Sequence, residues 1–246
     1  MDKIRFLLIL LGLSVAGCVS TSTDDDSHVS DEDAARYNTQ LGVSYLRRGD
    51  LEAARDKLEK AVRQDPDFAS SHAALGILYE RTGETDKARE HLGRAARLAP
   101  DDPNMINNYG GFLCRQGERA EGIRYFEKAA GNAYFRAPET ALTNAGVCAR
   151  GIPDPEMSER FFRAALARNP TFPDALLQLA DLKLEQGEPL GARAFLQRYE
   201  TVGPSSPVSL RLGREVEQAL GNDKAAREYT RRLREEFPEA GGEDDD

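Results

Sequence analysis

The sequence matches itself at a fixed spacing. Leu41, Gly42, Tyr45 and Gly49 recur as Leu75, Gly76, Tyr79 and Gly83, each 34 residues on (75 − 41, 83 − 49). A further 34 residues lead to Tyr109, Gly110, Leu113 and Gly117 (109 − 75, 117 − 83). A constant period of this size marks a stack of copies of one supersecondary unit, because one copy cannot bury its apolar face alone. No other feature restricts the fold as much.

The copies run 35–68, 69–102, 103–136, 139–172, 173–206 and 207–240, with Ala137 and Pro138 inserted after the third. Each predicts a helix over about fourteen residues, a turn at a glycine, and a second helix that stops before a proline, which cannot continue it. Small residues stand where two helices must approach, as at Gly42, Ala54 and Ala61 in the first copy, with Leu58 as a large partner. The fourth copy has an odd turn, with Pro153 where the others have Gly49, Gly83, Gly117, Gly187 and Gly221. The sixth places Arg214 at a small position and Thr230 at a bulky one, the polar divergence expected of an end cap. This 34-residue pattern resembles the tetratricopeptide repeat. The resemblance implies an all-α, right-handed superhelical solenoid of six antiparallel helix pairs.

Residues 1–17 read as an export signal: Lys3 and Arg5, then an apolar run too short to span a bilayer. Val15-Ala16-Gly17-Cys18 resembles a bacterial lipobox, which makes Cys18 the expected lipidation site and the membrane anchor. No aspartate follows Cys18 directly, so the expected destination is the outer membrane, with the repeats in the periplasm. Residues 18–34, rich in Ser, Thr and Asp, read as a disordered tether, and 241–246 as a solvated acidic tail.

The net charge of −9 argues against nucleic acid as a partner, since phosphate binding needs clustered Lys and Arg. His28, His72 and His91 are far apart and show no ligand spacing, and no phosphate loop, serine elbow or metal motif is present. The expectation is a non-enzyme without cofactor or metal. Cys114 and Cys148 fall on the first helices of the third and fourth copies, which pack side by side. They either pair or serve as two small buried hydrophobes. An oxidising compartment favours pairing, which would contribute roughly 3–4 kcal/mol on the chain-entropy model.

In tetratricopeptide arrays the first helices line a concave face. The matching positions here carry Val43, Ile77, Gly111 and Val147 on a mildly apolar floor, with Asn107 nearby and Arg47, Arg81 and Arg115 as a ladder. The expected occupant is an amphipathic helix or an extended segment with acidic groups. The alternative is that the arginines are solvated or pair with neighbouring carboxylates. Gly110-Gly111 would let a ligand backbone come close.

The lipobox, the six repeats, the Asn107–Cys114 helix and the run Asn144-Ala145-Gly146-Val147-Cys148 together resemble the type IV pilus biogenesis/stability lipoproteins, the PilF/PilW family. The resemblance spans the whole chain. It implies a pilotin-like outer-membrane factor that binds the pilus secretin and promotes its localisation and multimerisation. An assembly lipoprotein for another envelope machine, such as β-barrel insertion or cell-wall synthesis, is the alternative.

Overall fold

The computed structural model describes residues 30–240. Among them the chain forms twelve α-helices and no strand. In order these are α1 (Asp31–Arg48), α2 (Leu51–Gln64), α3 (Ala69–Arg81), α4 (Thr85–Leu98), α5 (Pro103–Arg115), α6 (Arg119–Ala130), α7 (Pro138–Ala149), α8 (Pro155–Arg168), α9 (Pro173–Glu185), α10 (Pro189–Glu200), α11 (Pro207–Ala219) and α12 (Asp223–Glu236). None of the described helices is long and apolar enough to cross a membrane.

The helices pair as six antiparallel hairpins, and each hairpin touches only its neighbours. First helices (α1, α3, α5, α7, α9, α11) pack against their counterparts in the next hairpin, whereas second helices do not. That asymmetry curves the stack into a superhelix, with the first helices on its inner face.

Within each hairpin one small residue admits one large one. A Cβ on Gly146 would lie 2.4 Å from the Phe162 ring, so glycine there is what lets α7 and α8 close. Leu58, Leu92, Phe126 and Leu196 occupy the same place in their own repeats and are all buried. Gly49, Gly83, Gly117, Gly187 and Gly221 end their first helices or turns with φ between +69° and +85°, a region closed to most side chains. The fourth repeat lacks such a glycine. Its turn runs Arg150–Asp154 on ordinary backbone, and Asp154 caps α8 by accepting from the Met157 N–H at 3.1 Å.

Three sequence expectations shift. The first helix begins at Asp31, inside the segment expected as tether. Ser30 caps it by accepting from the Asp33 N–H, and Asp31, Glu32 and Asp33 favour the positive end of the helix dipole. The insertion before the fourth repeat forms part of a loop from Gly131 to Ala137, with Pro138 opening α7. In the sixth repeat, Gly213 rather than Arg214 takes the small position, and its Cβ would meet Tyr229 at 2.4 Å. Both partners have moved back by one residue, so the end cap keeps the small-to-large fit. Cys18, the export signal, most of the tether and the acidic tail lie outside the described residues.

Candidate partner-binding groove

Two joined cavities lie on the inner face. One, about 330 Å³, is lined by Val43 and Arg47 of α1, Ala73, Ile77 and Arg81 of α3, and Asn108 of α5. The other, about 480 Å³, is lined by Ile77, Asn107, Asn108, Gly111, Cys114, Arg115, Phe126, Asn144 and Val147. Ile77 and Asn108 border both. All seven residues expected in the groove therefore lie along one continuous trough: Val43, Ile77, Asn107, Gly111, Arg47, Arg81 and Arg115. Met105, Asn108 and Asn144 join them, at repeat positions outside the expected set. Val147 stays 46% exposed at the trough's far end, unusual for an apolar side chain on an inner surface.

The arginine ladder is not uniform. Arg81 donates to the Leu46 carbonyl at 2.8 Å, which also accepts from the Gly49 N–H at the end of α1. Arg115 makes a two-pronged bond to Glu80, at 2.7 and 2.8 Å. Both reach back to the same position of the preceding repeat. Arg47 is exposed and has no partner among the described residues. For Arg81 and Arg115 the internal pairing holds, and only Arg47 presents an uncommitted charge. The guanidinium of Arg115 also covers Gly111: a Cβ there would sit 3.2 Å from Arg115 Nη1. The free approach expected over Gly111 is thus partly taken.

Between repeats three and four the ladder has no arginine. Instead Cys114 of α5 and Cys148 of α7 face each other, with sulfurs 2.27 Å apart and Cα atoms 5.7 Å apart. That Cα separation lies within the span of a disulfide. Cys114 borders the larger cavity, and Cys148 is buried beneath it. Further along, Arg150 at the C-terminal cap of α7 reaches forward to Asp181 at 2.7 Å and Glu185 at 2.5 Å on α9. Each first helix from α1 to α9 is thus tied to the next on the inner face.

One juxtaposition escaped the sequence. His72 and His91, nineteen residues apart, meet between α3 and α4 with their Nδ1 atoms at 2.9 Å. His72 Nε2 bonds the Pro66 carbonyl at 3.0 Å, so its Nδ1 accepts from His91. Burial lowers the pKa of both rings, and the proximity of His72 lowers that of His91 further. The signal was available in part, since His72 lies one helical turn before Gly76 and His91 one residue before Leu92, the pair that packs in this repeat. Among the described residues no group of three or more His, Cys, Asp or Glu is placed to hold a metal ion.

Six helix pairs with an apolar trough along the inner helices define a tetratricopeptide-repeat scaffold, and family models described as tetratricopeptide repeat match residues 39–103 and 154–212. The segment between the matches holds α5, Cys114, Cys148 and the odd turn. Over 235 residues the chain is 30% identical to the type IV pilus assembly protein PilF of Pseudomonas aeruginosa, covering 94% of this chain and 93% of that protein. It superposes on the crystal structure of PilW, described as a widely conserved type IV pilus biogenesis factor, with a TM-score of 0.75. Identity there is 32%, over 83% of this chain and 94% of PilW. For the solved Pseudomonas aeruginosa PilF the TM-score is 0.73 and the identity 27%, over 85% and 94%. The chain belongs to the PilF/PilW family of type IV pilus biogenesis proteins.

Proposed function

We propose that this protein is an outer-membrane lipoprotein, anchored through acylated Cys18, that serves as the pilotin of a type IV pilus. Its groove binds the pilus secretin and promotes its outer-membrane localisation and multimerisation, and so pilus stability. It acts by binding rather than by chemistry. The observation that carries this reading is the pair of joined apolar cavities along α1, α3, α5 and α7, in a chain whose relatives act in pilus assembly. Cys114 and Cys148 form a disulfide that fixes the far wall of the groove, where the insertion and the irregular Arg150–Asp154 turn interrupt the regular stack.

The test is a deletion strain assayed together for twitching motility and for secretin multimers on a gel. Loss of both, restored by the wild-type gene and not by Cys18→Ser, is the expected result. Normal motility with normal multimers would sink the reading. The disulfide requires that thiol labelling of the denatured, unreduced Cys18→Ser protein count no free thiol.

A further inference from the structure

We infer that the groove takes a largely uncharged segment of a partner in a polyproline-II-like extended form and in one direction. Two apolar side chains three residues apart fill the joined cavities, Asn108 bonds the main chain between them, and a single carboxylate meets Arg47 at the repeat-one end. This rests on the reading that the groove binds a partner, and adds that partner's chemistry and orientation.

The charge pattern sets the direction. Of the three arginines that line the cavities, Arg81 is held by the Leu46 carbonyl and Arg115 by Glu80. Of the three, Arg47 alone offers an unmatched charge, at one end of the trough. Beyond the other end, Arg150 is matched by Asp181 and Glu185. A segment acidic along its length would find one cation, whereas a neutral segment with one terminal carboxylate meets each wall with its complement.

Asn108 sets the backbone form. It is half-buried and borders both cavities, and its side-chain amide makes no hydrogen bond within the described residues. Its neighbours Asn107 and Asn144 bond each other at 3.2 Å. An amide offers two donors and an acceptor. A helix has already used its main-chain groups internally, but an extended segment has them free.

Spacing separates the extended forms. The cavities are offset by one inner helix, on the order of 8–10 Å for packed helices. In a β-strand, residues on one face are about 6.6 Å apart, or about 13 Å at the next repeat. A polyproline II segment brings residues i and i+3 to the same side about 9.3 Å apart.

The test uses the full chain carrying Cys18→Ser, panned against a displayed library of random short peptides. Recovered binders are expected to carry two apolar residues three apart and one Asp or Glu on one flank only. Their affinity should fall about tenfold with Arg47→Glu and with Asn108→Ala, and hold with Arg227→Glu on the exposed side of α12. Neither Arg47 nor Asn108 has an internal partner, so both variants should melt like the parent. Binders without that spacing, carboxylates on both flanks, unchanged affinity in the two variants, or no binder at all would overturn the inference. The secretin plays no part in this assay. Normal multimers in the deletion strain would remove the pilotin reading and leave a peptide result standing, and the reverse also holds.

Discussion

Repeats one to three and repeats four to six share one fold but are joined differently. The eleventh position of each repeat, on its first helix, lies at the seam between repeats. It is Tyr45, Tyr79 and Leu113 in the first half, then Ala149, Lys183 and Glu217. Tyr79 lies under the Arg55 guanidinium at 5.2 Å and donates to Glu59 at 3.0 Å. Lys183 is buried and binds Glu159 at 2.9 Å and Glu188 at 3.1 Å, and buried Glu217 accepts from Arg193 Nε at 2.7 Å. The core divides likewise, with one cluster from Leu46 to Leu113, another from Phe162 to Val216, and small clusters at the joint. In the first half apolar and aromatic residues take that seam position, and Arg81 and Arg115 cross the inner face. In the second half, charges knit the seam and also cross the inner face through Arg150.

The sharpest test of that contrast is Lys183→Ala. It leaves Glu159 with Arg163 as its one remaining cation and should cost about 3 kcal/mol by denaturant unfolding, while Lys183→Met should cost less. Tyr79→Phe, which removes only a hydroxyl from the other seam, should cost about 1 kcal/mol. Similar costs for Lys183→Ala and Tyr79→Phe would erase the distinction.

Reduction of the proposed Cys114–Cys148 disulfide acts at the joint. Closing a loop of 34 residues contributes roughly 3–4 kcal/mol on the chain-entropy model. Stability in a stack is a sum of repeat and neighbour terms, so the reduced protein should melt in two steps and the oxidised protein in one. A single calorimetric transition in both states would contradict this. Next in size, Gly146→Ala drives a methyl into the Phe162 ring at the joint and should cost about 1–3 kcal/mol. Gly213→Ala meets Tyr229 at the same distance, but that ring is only half-buried at the end of the stack and can swing out, so the loss should be smaller.

The halves should also respond to acid at different pH. His72 and His91 are held neutral by burial, among Asp67, Glu90, Arg94, Glu59 and Lys87, with their pKa below the usual 6.5. The unfolded chain therefore binds protons first, and their contribution is complete above about pH 6.5 and lost as pH falls below it. In the second half burial raises the Glu159 pKa, but bonds from Lys183 and Arg163 outweigh it and hold it below 4.5. Its contribution persists through that first window and fades only as pH falls below about 4.5. Hydrogen exchange at pH 7 and pH 5.5 should show α3 and α4 loosening before α8 and α9, and the reverse order would refute the assignment. The smallest effect belongs to Arg115→Gln, an exposed pair with Glu80 worth at most about 1 kcal/mol.

Much of this was legible in the sequence. The period fixes twelve helices and their pairing, because the small and large residues at 42 and 58, or 146 and 162, match only in that register. It also locates the groove residues, since one position in every first helix must face the inside of the curve. The one-residue slip to Gly213 and Tyr229 was hidden, because strict counting falls on Arg214 and Thr230. The helical start at Asp31 was hidden too, because three acidic residues read as solvated chain until Ser30 caps them.

By itself, then, the sequence determined the repeat, its number and the face that would be concave, all of which follow from local periodicity and turn chemistry. Tertiary structure alone decided which charges stay available. Arg47, Arg81 and Arg115 are one letter at one position, and nothing local distinguishes them. A preceding repeat places a carbonyl beside Arg81 and a carboxylate beside Arg115, while Arg47, in the first repeat, has no preceding repeat among the described residues to meet it.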